Sequence, residues 1–308
     1  MLQQFKMYGA IVLAMIFWSF SFIWTKMAME SFQPVTLLSL RLIIASLLLW
    51  AFARFTGKLQ KIDRKDIKWF VLLSLFEPYL YYMGETYGLT MMSATTASVI
   101  IATIPLFAPI VAYMMLREVI KWSNVLGILV SLMGVMLVIY LPGSGLEAGV
   151  WGILLMFLAV FSAVFYSAIL RKISLHYHTV NIILYQSLIG LLFFIPTFFF
   201  TDFQNIENLK ISAKSLEALI MLAIFASVLA FVLFASVVRK IGIAKTNVFV
   251  NLIPVFTAVF SWLLLKQYLT FSQWIGIAVV VAGLFVSQLS RKKKVPVKIV
   301  EITKATEY

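Results

Sequence analysis

The chain has no cysteine, which excludes disulfides, thiolate nucleophiles and cysteine-held metal, and leaves the redox compartment unread. Histidine is nearly absent. Both copies fall in one short segment, His176-Tyr177-His178, and no cysteine or neighbouring carboxylate completes a ligand set there. That segment reads as a solvated turn, so no metal site and no cofactor is expected. Charge is scarce as well, at 12% of residues with only 12 Asp and Glu. No glycine-rich phosphate loop, paired catalytic carboxylates or nucleophile elbow occurs. An enzyme is not expected. There is no room for a soluble domain: the longest polar interruptions are about 15 residues, at 54–68 and 201–214, before a basic tail at 291–308.

What fills the chain is apolar. Hydrophobic residues make up 63% and the mean hydropathy is +1.01. About 20 apolar residues span a bilayer as a helix. Ten such runs lie at roughly 8–28, 33–53, 69–89, 93–115, 122–141, 149–170, 179–200, 215–238, 244–265 and 271–290. Each is about twice the length of a barrel strand, so a transmembrane β-barrel is excluded. The first run ends at Lys26 with no small-residue cleavage site and is expected to be retained as a helix.

The net charge of +13 is distributed as in a membrane protein, not as in a nucleic-acid binder. Twenty Lys and Arg fall on one side: Lys6, six between Arg54 and Lys68, Arg117, Lys121, Arg171, Lys172, Arg239, Lys240, Lys245 and six from Arg291 onward. Four fall on the other, Lys26, Lys210, Lys214 and Lys266, and Arg41 lies within a run. This asymmetry predicts cytoplasmic N- and C-termini in a cell inner (plasma) membrane, with Arg291–Lys294 facing anionic lipid headgroups.

The chain repeats itself. Residues 93–138 align without gaps on 242–287 at an offset of 149, placing Pro105 on Pro254, Phe107 on Phe256, Gly127 on Gly276 and Gly134 on Gly283. Each copy sits in a block of five runs, and five is odd, so the second block enters the bilayer from the opposite side. The predicted fold is all-α integral membrane, with ten transmembrane helices in two inverted five-helix repeats, 1–141 and 149–290, before the tail at 291–308. Such architecture underlies alternating-access carriers.

Charges within the runs mark an interior site, since exposing them to lipid costs at least ~2.5 kcal/mol each. Arg41 lies roughly 12 Å deep in the second run, and Glu77 and Glu85 bracket it in depth on the third. Read as one continuous helix, the third run places Glu77, Tyr81, Glu85 and Gly88 along one side. A structural Arg–Glu pair and a substrate-contacting or proton-coupling carboxylate are both open; Glu77 and Glu85 are the coupling candidates. Trp18, Ser21, Phe22 and Thr25 share a face of the first helix, serving either packing or the cavity. Ser162, Tyr166, Tyr185 and Gln186 are weaker candidates.

Pro105, Pro109 and Pro254 interrupt the fourth and ninth helices and free the carbonyls of Ile101, Pro105 and Val250. In a bilayer, freed carbonyls require water, a polar side chain or a ligand. These prolines are hinge candidates, and Asn251 near Pro254 is a binding candidate beside Trp18, Arg41, Glu77 and Tyr81. The paired glycines of the fifth and tenth helices suit close packing or a homodimer surface.

At these residues the chain resembles the drug/metabolite transporter superfamily, in its ten-helix branch with two EamA-type repeats. The first repeat carries Trp18, Phe22, Lys26, Pro34, Arg41, Ser93-Ala94 and Pro105 through Glu118; the second carries Arg239–Ala244, the run from Asn251 through Leu265, and Leu269 through Leu284. Two positions depart from the family pattern. A Gly-Glu ending is Arg117-Glu118 in the first copy and Lys266-Gln267 in the second, and an Asn usual in the first helix is Ser21 here. The resemblance implies a secondary transporter for a small polar or amphipathic metabolite, amino-acid-like or drug-like, most often an exporter. Its cavity would be formed by helices one to four and six to nine, with the halves rocking about the fourth and ninth. Import or facilitation by the same fold is the alternative, ahead of a channel or a passive scaffold.

Overall fold

The structure, a computed structural model, describes residues 2–107, 122–141, 145–146, 149–204, 210–242 and 246–288. Grouping contiguous segments gives α1 (Leu2–Ala28), α2 (Pro34–Phe55), α3 (residues 67–90), α4 (Ala94–Ile101, resuming at 104–107), α5 (Trp122–Ile139), α6 (Val150–Ile173), α7 (Thr179–Thr201), α8 (residues 213–241), α9 (Leu252–Leu265, preceded by a 3-10 turn Asn247–Asn251) and α10 (Phe271–Gln288). Five helical stretches are long and apolar enough to cross a membrane: Lys6–Ala28, Pro34–Phe55, Val150–Ile173, Thr179–Thr201 and Ala213–Ile241. The chain is a multi-pass, all-α membrane protein. Among the described residues, β structure is confined to a two-residue pairing of β1 (Tyr140–Leu141) with β2 (Gly145–Leu146).

Helix boundaries follow local chemistry. Pro34, whose missing N–H costs nothing in a first turn, opens α2 after an extended Gln33. The Ser93 hydroxyl caps α4 by accepting from Thr96 N, and Ser212 caps α8 by accepting from Ser215 N. The His178 ring accepts from Val180 N at the start of α7, so one of the two histidines is a capping residue.

The repeat is visible in the boundaries. Helices α1 and α6 end at Ala28 and Ile173, and α2 and α7 begin at Pro34 and Thr179, both 145 residues apart. Further along, Ser131 Oγ on α5 donates to Val280 O on α10, its counterpart 149 residues on. There the glycines interlock: a Cβ on Gly134 would lie 2.6 Å from Val280 N, and one on Gly283 2.8 Å from Gly127 O. The glycine faces are therefore occupied within one chain.

The halves do not form two separate bodies. Helix α1 packs chiefly on α8 and α9, α3 on α6 and α7, α5 on α10, and α2 on α7. The α2–α7 pair is tied at both ends. At one, Asp202 Oδ2 accepts from Thr36 N and Oγ1 at 2.7 and 2.9 Å. At the other, Asn181 donates to Lys58 O at 2.7 Å and accepts from Gln60 N at 3.0 Å. Lipid-facing apolar residues such as Leu47, Trp50 and Leu192 are exposed, while Arg41, Glu77 and Glu85 are buried.

Helix α3 is not continuous. A π segment, Leu75–Leu80, interrupts it, Glu77 is extended (φ −148°, ψ 119°) and the Glu77–Pro78 peptide is cis. Pro78 disfavours helical geometry at the residue before it. Helix α8 has a π segment, Leu222–Leu229, in the corresponding place.

Candidate functional site

A cavity holding about 580 Å³ of space between atoms, part of it open to solvent, lies between α1, α2, α3, α4, α6, α8 and the 3-10 turn and first residues of α9. Trp18, Ser21 and Phe22 line it from α1, Arg41 from α2, and Glu77, Tyr81, Tyr82 and Glu85 from α3. Helix α7 contributes no lining residue; its Gln186 accepts instead from the Tyr166 hydroxyl at 3.2 Å and steadies that cavity residue from behind.

The break in α3 builds the polar wall. An extended residue at 77 changes the phase of the helix, so Glu77 reaches the cavity from one segment while Tyr81, Tyr82 and Glu85 reach it from the next. The Tyr81 hydroxyl donates to Glu85 Oε1 at 3.1 Å. Gly88, expected on the same stripe, instead faces α6, where an added Cβ would meet Met156 Sδ at 2.6 Å. Gly84 packs likewise, 2.4 Å from Leu155 O by the same construction, while Pro78 fills the space that Gly190 leaves on α7.

Arg41 is 2% exposed, yet among the described residues it has no carboxylate within 4.0 Å; the two ion pairs there, Lys65–Asp63 and Lys214–Glu30, are at the surface. Its Nε donates to the Ser227 hydroxyl on α8, and its guanidinium lies 4.2 Å over the Tyr82 ring. The Arg–Glu lock left open by the sequence is not formed. Instead a guanidinium held at Nε and two carboxylates face a common space, an arrangement whose chemistry suits a solute carrying both signs of charge. The opposite wall is aromatic: Trp18 stands edge-on to Phe231 at 5.1 Å and beside Phe234 at 4.9 Å, and donates through Nε1 to Ala226 O in the α8 π segment at 3.3 Å.

The repeat relates the walls. At an offset of 149, Ile101 corresponds to Val250, Ile104 to Ile253, Tyr82 to Phe231 and Glu85 to Phe234, and all eight line the cavity. The polar residues of α3 thus face an aromatic replacement of themselves.

The hinge candidates lie at this boundary. Helix α4 breaks at Ala102–Thr103 just before Pro105, and the Thr103 hydroxyl donates back to Ile100 O at 2.6 Å. Pro254 follows the 3-10 turn in the second half. Pro109 lies outside the described residues. Asn251 is not among the lining residues, whereas Asn247 is. The 3-10 turn explains the exchange: at three residues per turn, positions four apart no longer share a face. Missed by the sequence reading were Ser227, Tyr82, Phe231 and Phe234; the Glu-Pro step at 77–78 was the available signal for the α3 break.

Comparison with known proteins places this cavity in context. The model of the EamA-like transporter family matches residues 5–140 and 150–289. The uncharacterized transporter YetK of Bacillus subtilis (strain 168) is 29% identical over 297 residues, covering 94% of this chain and 89% of that protein. An S-adenosylmethionine/S-adenosylhomocysteine transporter of Chlamydia muridarum (strain MoPn / Nigg) is 28% identical over 270 residues, covering 83% of each chain. A crystal structure superposes with a TM-score of 0.69 over 92% of this chain and 98% of its own, at 16% identity, and so shares the fold.

Proposed function

Since the chain belongs to the EamA-like transporter family and is a transporter by that membership, we propose that it is a secondary carrier for a small amphipathic organic ion. One observation carries this reading: Arg41, Glu77 and Glu85 line the same buried cavity with no Arg–carboxylate ion pair among the described residues. A solute with a carboxylate for the Arg41 fork, an amine or other cation for Glu77 or Glu85, and a flat apolar part for Trp18, Phe231 and Phe234 satisfies every wall. Amino-acid-like metabolites have this chemistry, as do the two compounds named for the Chlamydia muridarum relative. Each unpaired buried charge is costly alone, so binding such a solute offsets that cost.

The same carboxylates are the proposed coupling groups: one that releases its proton to engage a cationic solute links the two movements. Alternating access is proposed to move sets of helices drawn from both halves, α1 with α8 and α9 against α3 with α6, because those are the sets that pack together. Pro105 and Pro254 would supply the bends. Efflux across an inner membrane, with both termini cytoplasmic, rests on the family resemblance and on the distribution of Lys and Arg. No enzymatic role is proposed. Any homodimer would use the outer faces of α5 and α10, since their glycines already interlock within the chain.

The test is uptake of pooled labelled amino acids and other amphipathic ions into proteoliposomes, with and without a pH gradient. Saturable uptake of a zwitterionic or cationic compound is expected. Uptake confined to neutral or purely anionic compounds would refute the assignment of Glu77 and Glu85.

A further inference from the structure

The cavity separates two sets of helices, and a side-chain to main-chain contact crosses the gap at each of its ends. Direct packing between α1 and α3 is slight, as is that between α6 and α8. Yet Lys26 Nζ, in the last turn of α1, donates to Leu89 O in the last turn of α3 at 2.9 Å. Arg171 Nη1, in the last turn of α6, donates to Val238 O and Arg239 O in the last turn of α8 at 3.0 and 3.2 Å.

These are the same contact, made once in each repeat. Lys26 and Arg171 are 145 residues apart, the offset of the α1 and α6 ends, and each stands two residues before the end of its helix. Leu89 and Val238 are 149 apart, the offset of the aligned segments 93–138 and 242–287 that follow them. Chain direction reverses at each connection, so α1 and α3 end on one face of the membrane and α6 and α8 on the other. Each cation meets carbonyls in the last turn of a helix, at the negative end of its dipole; Val238 O also accepts from Gly242 N at 2.9 Å.

We infer that Lys26 and Arg171 are the two latches of the transport cycle, each closing the cavity towards one face and released in alternation. This rests on the alternating-access reading above. The latches differ in chemistry: Lys26 meets the carbonyl of Leu89 with an ammonium on a flexible stem, and Arg171 meets two successive carbonyls with a planar guanidinium.

The absence of cysteine makes the test direct. Ser21→Cys and Ser167→Cys each place a thiol in the cavity, five residues before Lys26 and four before Arg171. A membrane-impermeant thiol reagent is applied to one face at a time in sealed vesicles of known orientation. Losing a hydrogen bond from a charged donor should raise the open population about tenfold. Lys26→Gln should therefore speed labelling of S21C about tenfold from the α1/α3 end and leave the opposite face unchanged. Arg171→Gln should speed labelling of S167C from the α6/α8 end alone.

Equal acceleration from both faces, or none from either, would overturn the inference. K26R and R171K each keep the charge and guard against misfolding of the glutamine variants; labelling in each should stay closer to wild type than in the matching glutamine variant, and acceleration equal to that variant's would equally refute the latches. Labelling reads access, not flux. Face-selective shifts in a protein that moves no solute would remove the carrier reading and leave the latches standing.

Discussion

Arg41 donates through Nε to the hydroxyl of Ser227, joining α2 of the first half to the π segment of α8 in the second. The guanidinium is thereby held through Nε and stacked on Tyr82, and in the proposed function its terminal nitrogens engage the solute. Removing the hydroxyl with Ser227→Ala should cost about 1.5 kcal/mol of solute binding, roughly tenfold in half-saturation, because a hydrogen bond from a charged donor is lost. Arg41→Lys should cost more, since an ammonium cannot reproduce the fork. Concentration dependence of uptake in proteoliposomes checks both; an unchanged half-saturation in R41K would show that Arg41 does not touch the solute.

The two carboxylates should separate by role. Glu77 stands in an extended kink with no hydrogen bond among the described residues, whereas Glu85 accepts from Tyr81. Glu77→Gln is expected to abolish stimulation by a pH gradient while solute exchange continues. Glu85→Gln should chiefly weaken binding. Uptake with and without the gradient, beside exchange at symmetric pH, distinguishes them. Persistence of gradient stimulation in E77Q would remove Glu77 from coupling.

Helix contact through Gly84 gives a prediction on stability. A methyl there would lie 2.4 Å from Leu155 O, backbone that yields only if α3 and α6 move apart. Gly84→Ala should destabilise the protein by about 1–3 kcal/mol, as overpacking does. Gly9→Ala, with nothing within 4 Å of its added methyl, is the control and should be neutral or slightly stabilising. Thermal unfolding in detergent reads the difference; equal melting temperatures would contradict the α3–α6 contact.

His178 supplies a pH dependence outside the membrane spans. Burial, then the Lys58 and Arg239 charges, hold its imidazole below the usual histidine value. The folded protein therefore binds this proton less readily than the unfolded chain does. Stability from this group is complete above the ordinary histidine value near 6.5 and declines as pH falls towards the lower folded value. Protonation also removes the ring acceptor that caps α7. Melting temperatures measured from pH 7.5 to 5.5 should fall more steeply for the wild type than for His178→Asn, which retains a capping acceptor. Parallel curves would refute the assignment.

Much of this architecture was legible in the sequence because the bilayer permits few solutions. Apolar runs of spanning length and a repeat of odd helix number led to an all-α inverted fold, and buried charges had to face inwards, which brought Trp18, Arg41, Glu77, Tyr81 and Glu85 to one cavity. What escaped were features that depend on phase or on partners far along the chain. A uniform turn of 100° carried Gly88 onto the polar stripe and Asn251 towards the cavity; the kink at Glu77 and the 3-10 turn at Asn247–Asn251 broke that uniformity. Ser227 lies 186 residues from Arg41, and nothing local in either segment marks them as partners. The interleaving of the halves was equally hidden, since a repeat specifies correspondence between helices and not which of them touch.

The central claim is that one cavity serves both faces in turn, and counterflow tests it most directly. Proteoliposomes are loaded with excess unlabelled solute found in the uptake screen, and entry of labelled solute is followed without any gradient of pH or voltage. A carrier predicts transient accumulation of label above its outside concentration, saturable in solute and lost in Arg41→Lys. Label that only equilibrates, at a rate proportional to concentration and indifferent to the internal load, would identify an open pore and contradict the account.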